Sequence, residues 1–148
     1  MTANPASTFV YVSYIRATPE RVWEALTQPE TIKKFWFGMT AESDWKTGSP
    51  WRLVFEDGRV ADAGEILESD PPRRLAIKWR NEWKPEFKAE GYSTCVMEIE
   101  PAGEAVKLTL THSMERADAQ FIGAVSGGWA KILSNLKSLL ETGDVAIA

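Results

Sequence analysis

Cysteine and histidine are nearly missing from this sequence, with one of each among 148 residues. The single cysteine, Cys95, has no partner for an internal disulfide and none for a Cys-x-x-Cys metal pair. One histidine, His112, excludes the His-Glu-x-x-His helix and similar metal spacings, so no metal or other cofactor is expected. Basic charge is also in short supply. Lys and Arg number 17 against 21 Asp and Glu, a net charge of −4. That leaves no surplus to neutralise phosphates and speaks against nucleic acid as a partner. No apolar run approaches the ~20 residues of a membrane-spanning helix, so no membrane association is expected. Residues 1–8 hold neither a basic residue nor an apolar stretch, unlike a secretory signal, and a cytoplasmic location is the default expectation. The glycines between 123 and 128 lack the Walker lysine and a preceding strand, which removes a phosphate cradle.

Tryptophan, by contrast, is abundant. Trp23, Trp36, Trp45, Trp51, Trp79, Trp83 and Trp129 run the length of the chain. Two uses compete for them. Each ring can fill a core, burying some 200 Å², or line a ligand cavity, since such cavities are mostly apolar and aromatic. With 44% hydrophobic and 26% charged residues the composition is that of one globular domain, expected over 1–148 with its core at about 9–142.

The pattern predicts α+β architecture. Phe9 to Arg16 reads as a strand. Thr18-Pro19-Glu20 opens a helix with an N-cap, a proline in the first turn and an acid at the positive end. Gln28-Pro29-Glu30 starts a second short helix that Gly38 ends. Alternating runs follow at 51–56, 60–68, 75–80, 93–100 and 104–113, broken by Asp57-Gly58, Asp70-Pro71-Pro72 and Pro101-Ala102-Gly103. Residues 81–90 read as a polar loop carrying Trp83 and Phe87. From about Asp118 to Glu141 the period becomes helical, with Gly127-Gly128 inside as a kink, a join or a close approach to the sheet. Short turns demand antiparallel strands, and the one long amphipathic helix must cover them. A curved antiparallel sheet of about 6–7 strands wrapped round the C-terminal helix, with two short helices after strand 1, is the expected fold.

The segment from Ala17 to Thr27, Ala-Thr-Pro-Glu-Arg-Val-Trp-Glu-Ala-Leu-Thr, resembles the opening of START-like, or SRPBCC, domains. Asp57-Gly58, Gly64, Asp70-Pro71-Pro72 with Leu75 and Trp79, Leu108 to His112, and Gly128-Trp129 with Leu133, Leu136 and Leu140 are similar to one branch of it. That branch is named after the C-terminal domain of the activator of the Hsp90 ATPase. The resemblance spans about Val10 to Leu140. It implies a helix-grip fold, in which the sheet grips the last helix around a deep hydrophobic cavity. Relatives in the wider group include lipid carriers, hormone receptors and cyclases, so the resemblance implies no single activity. The eukaryotic co-chaperone has a separate N-terminal domain. Only about eight residues precede the first strand here, and this departure argues against a chaperone partner.

The expected function is binding of a small hydrophobic molecule, lipid-like or aromatic, between sheet and helix. Phe35, Trp36, Trp51, Phe55, Trp79 and Trp83 are the expected lining from the first part of the chain. Tyr92, Cys95, His112, Phe121, Val125 and Trp129 complete it. His112 shares the inward parity of Val106, Leu108 and Leu110. It reads either as the polar group that orients a ligand or as a core histidine with satisfied nitrogens. Cys95 faces inward as a small hydrophobe, with a thiol–imidazole dyad as the remote alternative. Arg52, Glu65 and Glu82 have ambiguous parity, and the surface is their expected place. A cyclase- or hydrolase-type enzyme in the same cavity, and a stress-response or co-chaperone-like interaction protein using the exposed aromatics, are the competing readings. A homodimer is compatible with either.

Overall fold

Burial alternates along Ser7–Ile15, the first strand (β1), because every second side chain there meets the interior. The computed structural model describes residues 6–148. Most of the segment read for a signal peptide lies outside the described residues. Thr18 Oγ1 accepts a hydrogen bond from the Arg21 amide at 3.2 Å and caps helix α1 (Pro19–Thr27). Gln28 ends α1 and begins α2 (Pro29–Phe35). Its ψ of 119° is extended, as the proline after it requires.

Six further strands follow: β2 (Thr40–Ser43), β3 (Pro50–Val54), β4 (Val60–Asp70), β5 (Arg74–Asn81), β6 (Ser93–Ala102) and β7 (Ala105–Met114). A short helix, α3 (Pro85–Lys88), interrupts them, and α4 (Gln120–Thr142) ends the fold. The strands form one curved seven-stranded antiparallel sheet in the order β1-β7-β6-β5-β4-β3-β2. This is the helix-grip fold. The sequence pattern misses β2, a four-residue strand too short to show a period, and α3, a single turn inside the polar loop. It also ends β3 too late. A register shift between Leu53 and Val54 breaks the alternation before Glu56.

Helix α4 runs unbroken through Gly127 and Gly128, and a Cβ at either would meet open space. The glycines therefore mark neither a join nor a close contact with the sheet. Phe121, Ile122, Trp129, Ile132, Leu133 and Leu136 of α4 are buried in one cluster with Leu75, Ile77, Leu108 and Leu110 of the sheet. Full burial of such side chains stabilises by about 1.5–3 kcal/mol each. No residue at the start of α4 caps it locally. Instead both Glu90 carboxylate oxygens accept the Gln120 and Phe121 amides, at 2.8 and 2.9 Å. Among the described residues, no helix is long and apolar enough to cross a membrane.

Candidate functional site

The register sets three strands side by side at the centre of the inner face. Trp51 of β3, Gly64 of β4 and Trp79 of β5 form one cross-strand row, and Leu53, Asp62 and Asn81 form the next. With no side chain at Gly64 between them, the rings of Trp51 and Trp79 meet at 4.3 Å between centroids. Trp36, just past α2, stacks on Trp79 at 6.1 Å, and Trp129 of α4 meets both edge-on at 5.1 and 5.7 Å.

These interlocked rings divide the space between sheet and helices. Below them, among Phe35, Trp51, Ile77 and Leu133, only about 20 Å³ is left, a packing void the size of a water. Above them lies a hollow of about 200 Å³. Trp36, Trp79 and Trp129 form its floor. Leu53, Ala61, Asp62 and Asn81 line the sheet side, and Val125, Gly128 and Ile132 line the helix side. Phe55, Trp83 and Met39 stand at its mouth, with Trp83 half exposed and edge-on to Phe55 at 5.3 Å.

Several expected lining residues lie elsewhere. Tyr92 precedes Ser93, which takes the inward position. The Tyr92 ring therefore sits on the outer face under Lys78 and Arg80, 4.5 and 4.7 Å from its centroid. Cys95 is inward but sealed between its cross-strand neighbours Ile77 and His112, and burial pushes its thiol pKa up, leaving no thiolate for chemistry. Phe121 is a lid over His112 at 5.5 Å, itself covered by Phe87 at 5.8 Å. Arg52 and Glu65 are on the outer face in ion pairs with Glu42 and Lys78. Glu82 pairs with Arg80 and Lys88.

His112 itself does not reach the hollow. Trp129 Nε1–H donates to Nδ1 at 3.0 Å, which places the ring proton on Nε2. That proton meets Ser93 Oγ at 2.7 Å, and Ser93 donates onward to the Trp79 carbonyl at 3.0 Å. Both imidazole nitrogens are consumed. Burial holds the pKa down at about 3, so the ring is neutral and unavailable as acid or base. It is a core histidine that ties β6, β7 and α4 together.

The polar group of the hollow, Asp62, is one that the sequence pattern does not single out. Asp62 is buried, accepting Trp79 Nε1–H at 2.6 Å and Asn81 Nδ2–H at 3.0 Å. Burial pushes its carboxyl up to about 7, outweighing these two hydrogen bonds, and the negative charge of Glu82 acts in the same direction. Its spacing of four from the wholly buried Ile66 is the signal that puts it on the inner face. Among the described residues, Asp62 is the one titratable side chain lining the hollow. Among the described residues, no group of three His, Cys, Asp or Glu is placed to hold a metal.

The two shifted groups bend the pH dependence of stability in opposite directions. The native state binds more protons at Asp62 between about 4 and 7, so this contribution falls as pH rises through that window. At His112 the unfolded state binds more protons between about 3 and 6.5, so that contribution falls as pH drops. Asp62→Asn removes the first alone. The stability of D62N relative to the wild type is expected to rise by on the order of 4 kcal/mol between pH 4 and pH 8. Urea unfolding at both pH values checks this. A difference that does not change with pH contradicts a buried, proton-binding Asp62.

A family model described as activator of Hsp90 ATPase homolog 1-like protein matches residues 16–141. The chain belongs to this family. Activator of Hsp90 ATPase homolog 1-like proteins are the START-like branch that the sequence motifs resemble. Solved structures agree in fold. Protein MLL2253 from Mesorhizobium loti is similar with a TM-score of 0.79 and 25% identity, covering 94% of this chain and 100% of its own. CalU16 from Micromonospora echinospora is similar with a TM-score of 0.73 and 27% identity, covering 93% and 78%. PFC0360w of Plasmodium falciparum, described as an HSP90 activator, is similar with a TM-score of 0.73 and 25% identity, covering 90% and 95%. No curated protein sequence matches the chain.

Proposed function

We propose that this protein binds a small molecule of one or two rings in the hollow between β3–β5 and α4. The observation that carries this reading is the hollow's size and wall. About 200 Å³ lies among Trp36, Phe55, Trp79, Trp83 and Trp129 around one buried carboxyl. An apolar cavity of about 150 Å³ accommodates a benzene, whereas pockets for drug-sized ligands run to roughly 300–1,000 Å³. Size thus favours a compact aromatic guest over a long acyl chain.

Gly128 supplies a direct test, because a Cβ there meets open space while the residue lines the hollow. Gly128→Leu adds a side chain to the hollow and a better helix former to α4, worth up to about 1 kcal/mol. The variant is expected to melt no lower than the wild type, and to lose the tryptophan fluorescence change that 2-phenylethanol produces in the wild type. A variant that still responds like the wild type removes the hollow as the binding site.

A further inference from the structure

We infer that the preferred guest is a monocation, an ammonium group carried on a one- or two-ring body, with Asp62 as its counter-ion. This rests on the proposed binding in the hollow and adds the charge of the molecule that enters it.

Apolar contact alone does not decide affinity in so small a space. Covering the area of a single ring supports only millimolar binding. The polar group on the wall therefore selects the guest, and that group is Asp62. Its carboxylate offers about four acceptor positions, and the protein uses two of them, for Trp79 and Asn81. Both partners are neutral donors. No Lys or Arg forms an ion pair with Asp62 among the described residues, although Glu82 close by has two cationic partners, Arg80 and Lys88. A buried carboxylate without a counter-ion is costly, so it holds a proton or takes a cation. The raised pKa of about 7 means that near neutral pH either is within reach.

The surrounding rings suit the second choice. Trp36, Trp79, Trp83, Trp129 and Phe55 enclose the space beside the carboxyl. Aromatic rings, Trp above all, attract cations through their quadrupoles, more strongly where water is excluded. Asn81 Oδ1 adds a further acceptor, since the Lys84 amide at 2.8 Å takes only one of its lone pairs. The opposing observation is the pair of cations near the mouth. Arg59 lies 5.0 Å over Phe55, and Lys84 lies 5.6 Å over Trp83. Both are exposed, and Arg59 is already held by Asp57 at 2.7 Å. Water and salt screen exposed charges far more than they screen the buried Asp62, so the carboxyl governs.

The test compares three probes of similar size by tryptophan fluorescence at pH 8: 2-phenylethylamine, 2-phenylethanol and phenylacetate. The amine is expected to bind at least ten-fold more tightly than the alcohol, and phenylacetate more weakly than either. Asp62→Asn is expected to abolish the ten-fold preference of the amine over the alcohol, and a cooperative urea transition shows that the variant is folded. Lowering the pH to 5.5 is expected to erase the preference in the wild type. Besides Asp62, the titratable groups near the hollow are Glu82, fixed in its ion pairs, and His112, which stays neutral there. Equal or weaker binding of the amine than of the alcohol overturns the cation assignment and leaves small-molecule binding standing. Preferred binding of phenylacetate assigns selection to Arg59 and Lys84 instead and also overturns it. An amine preference that survives Asp62→Asn overturns Asp62 as the counter-ion. If no probe binds, the proposed function fails with it.

Discussion

Gly64→Ala is expected to cost about 3 kcal/mol or more of folding stability, the scale of a forced overpacking that cannot relax. A Cβ at Gly64 lies 1.7 Å from the Lys78 carbonyl oxygen and 2.6 Å from its carbon. The obstacle is the backbone of β5, so no side-chain rotation removes it. Shifting β5 would break the register that places Trp79 beside Asp62 and against Trp51. The site and the fold therefore fail together, and the expected result is a large drop in the urea midpoint with loss of the native tryptophan emission. Gly127→Ala is the matched control. Its Cβ meets nothing in a continuous helix, and it is expected to stabilise by up to about 1 kcal/mol. The same chemical change gives opposite signs because one glycine lies against a neighbouring strand's backbone and the other faces open space. A Gly64→Ala protein as stable as the wild type contradicts the strand packing described above.

His112→Ala is expected to destabilise by about 4 kcal/mol. Truncating a buried ring of this size costs roughly 2–5 kcal/mol through lost contacts and the cavity left behind. It also orphans the buried Trp129 Nε1–H, worth a further 1–3 kcal/mol or so. Ser93 suffers less, because it keeps its own bond to the Trp79 carbonyl. The two parts separate in a double-mutant cycle. On a Trp129→Phe background the donor is already gone, so the same His112→Ala change is expected to cost about 1–3 kcal/mol less. Chemical denaturation of the four proteins measures the coupling. A His112→Ala variant with wild-type stability overturns the ring's structural role and returns it to the pool of reactive groups.

The most legible parts of the fold are those where a local rule meets a long element. The Thr18-Pro19 helix start, the Asp57-Gly58 turn and the helical stripe through Leu136 are legible because the backbone and the 3.6-residue period dictate them locally. The site is less legible. Parity placed His112 and Cys95 inward, where they are, but inward is not the same as cavity-facing: Phe121 and Trp129 cover the histidine. Tyr92 lies one step out of the inward parity, since Ser93 turns in and Tyr92 turns out. Asp62 escaped notice because an acid between small residues looks solvated until its strand neighbours are known.

Composition and periodicity by themselves determined the α+β class, the antiparallel connection of the strands, the helix that covers them and the poverty of metal-binding residues. Those are properties of nearest neighbours along the chain and of sums over it. Which aromatic rings interlock and which leave a hollow was decided only by tertiary structure. So were the cap that Glu90 provides to α4 across 30 residues, and the burial that turns Asp62 from an ordinary acid into a group poised near neutrality. The physical reason is common to all three. Packing density and local dielectric depend on groups brought together from distant positions, and no window of adjacent residues contains them.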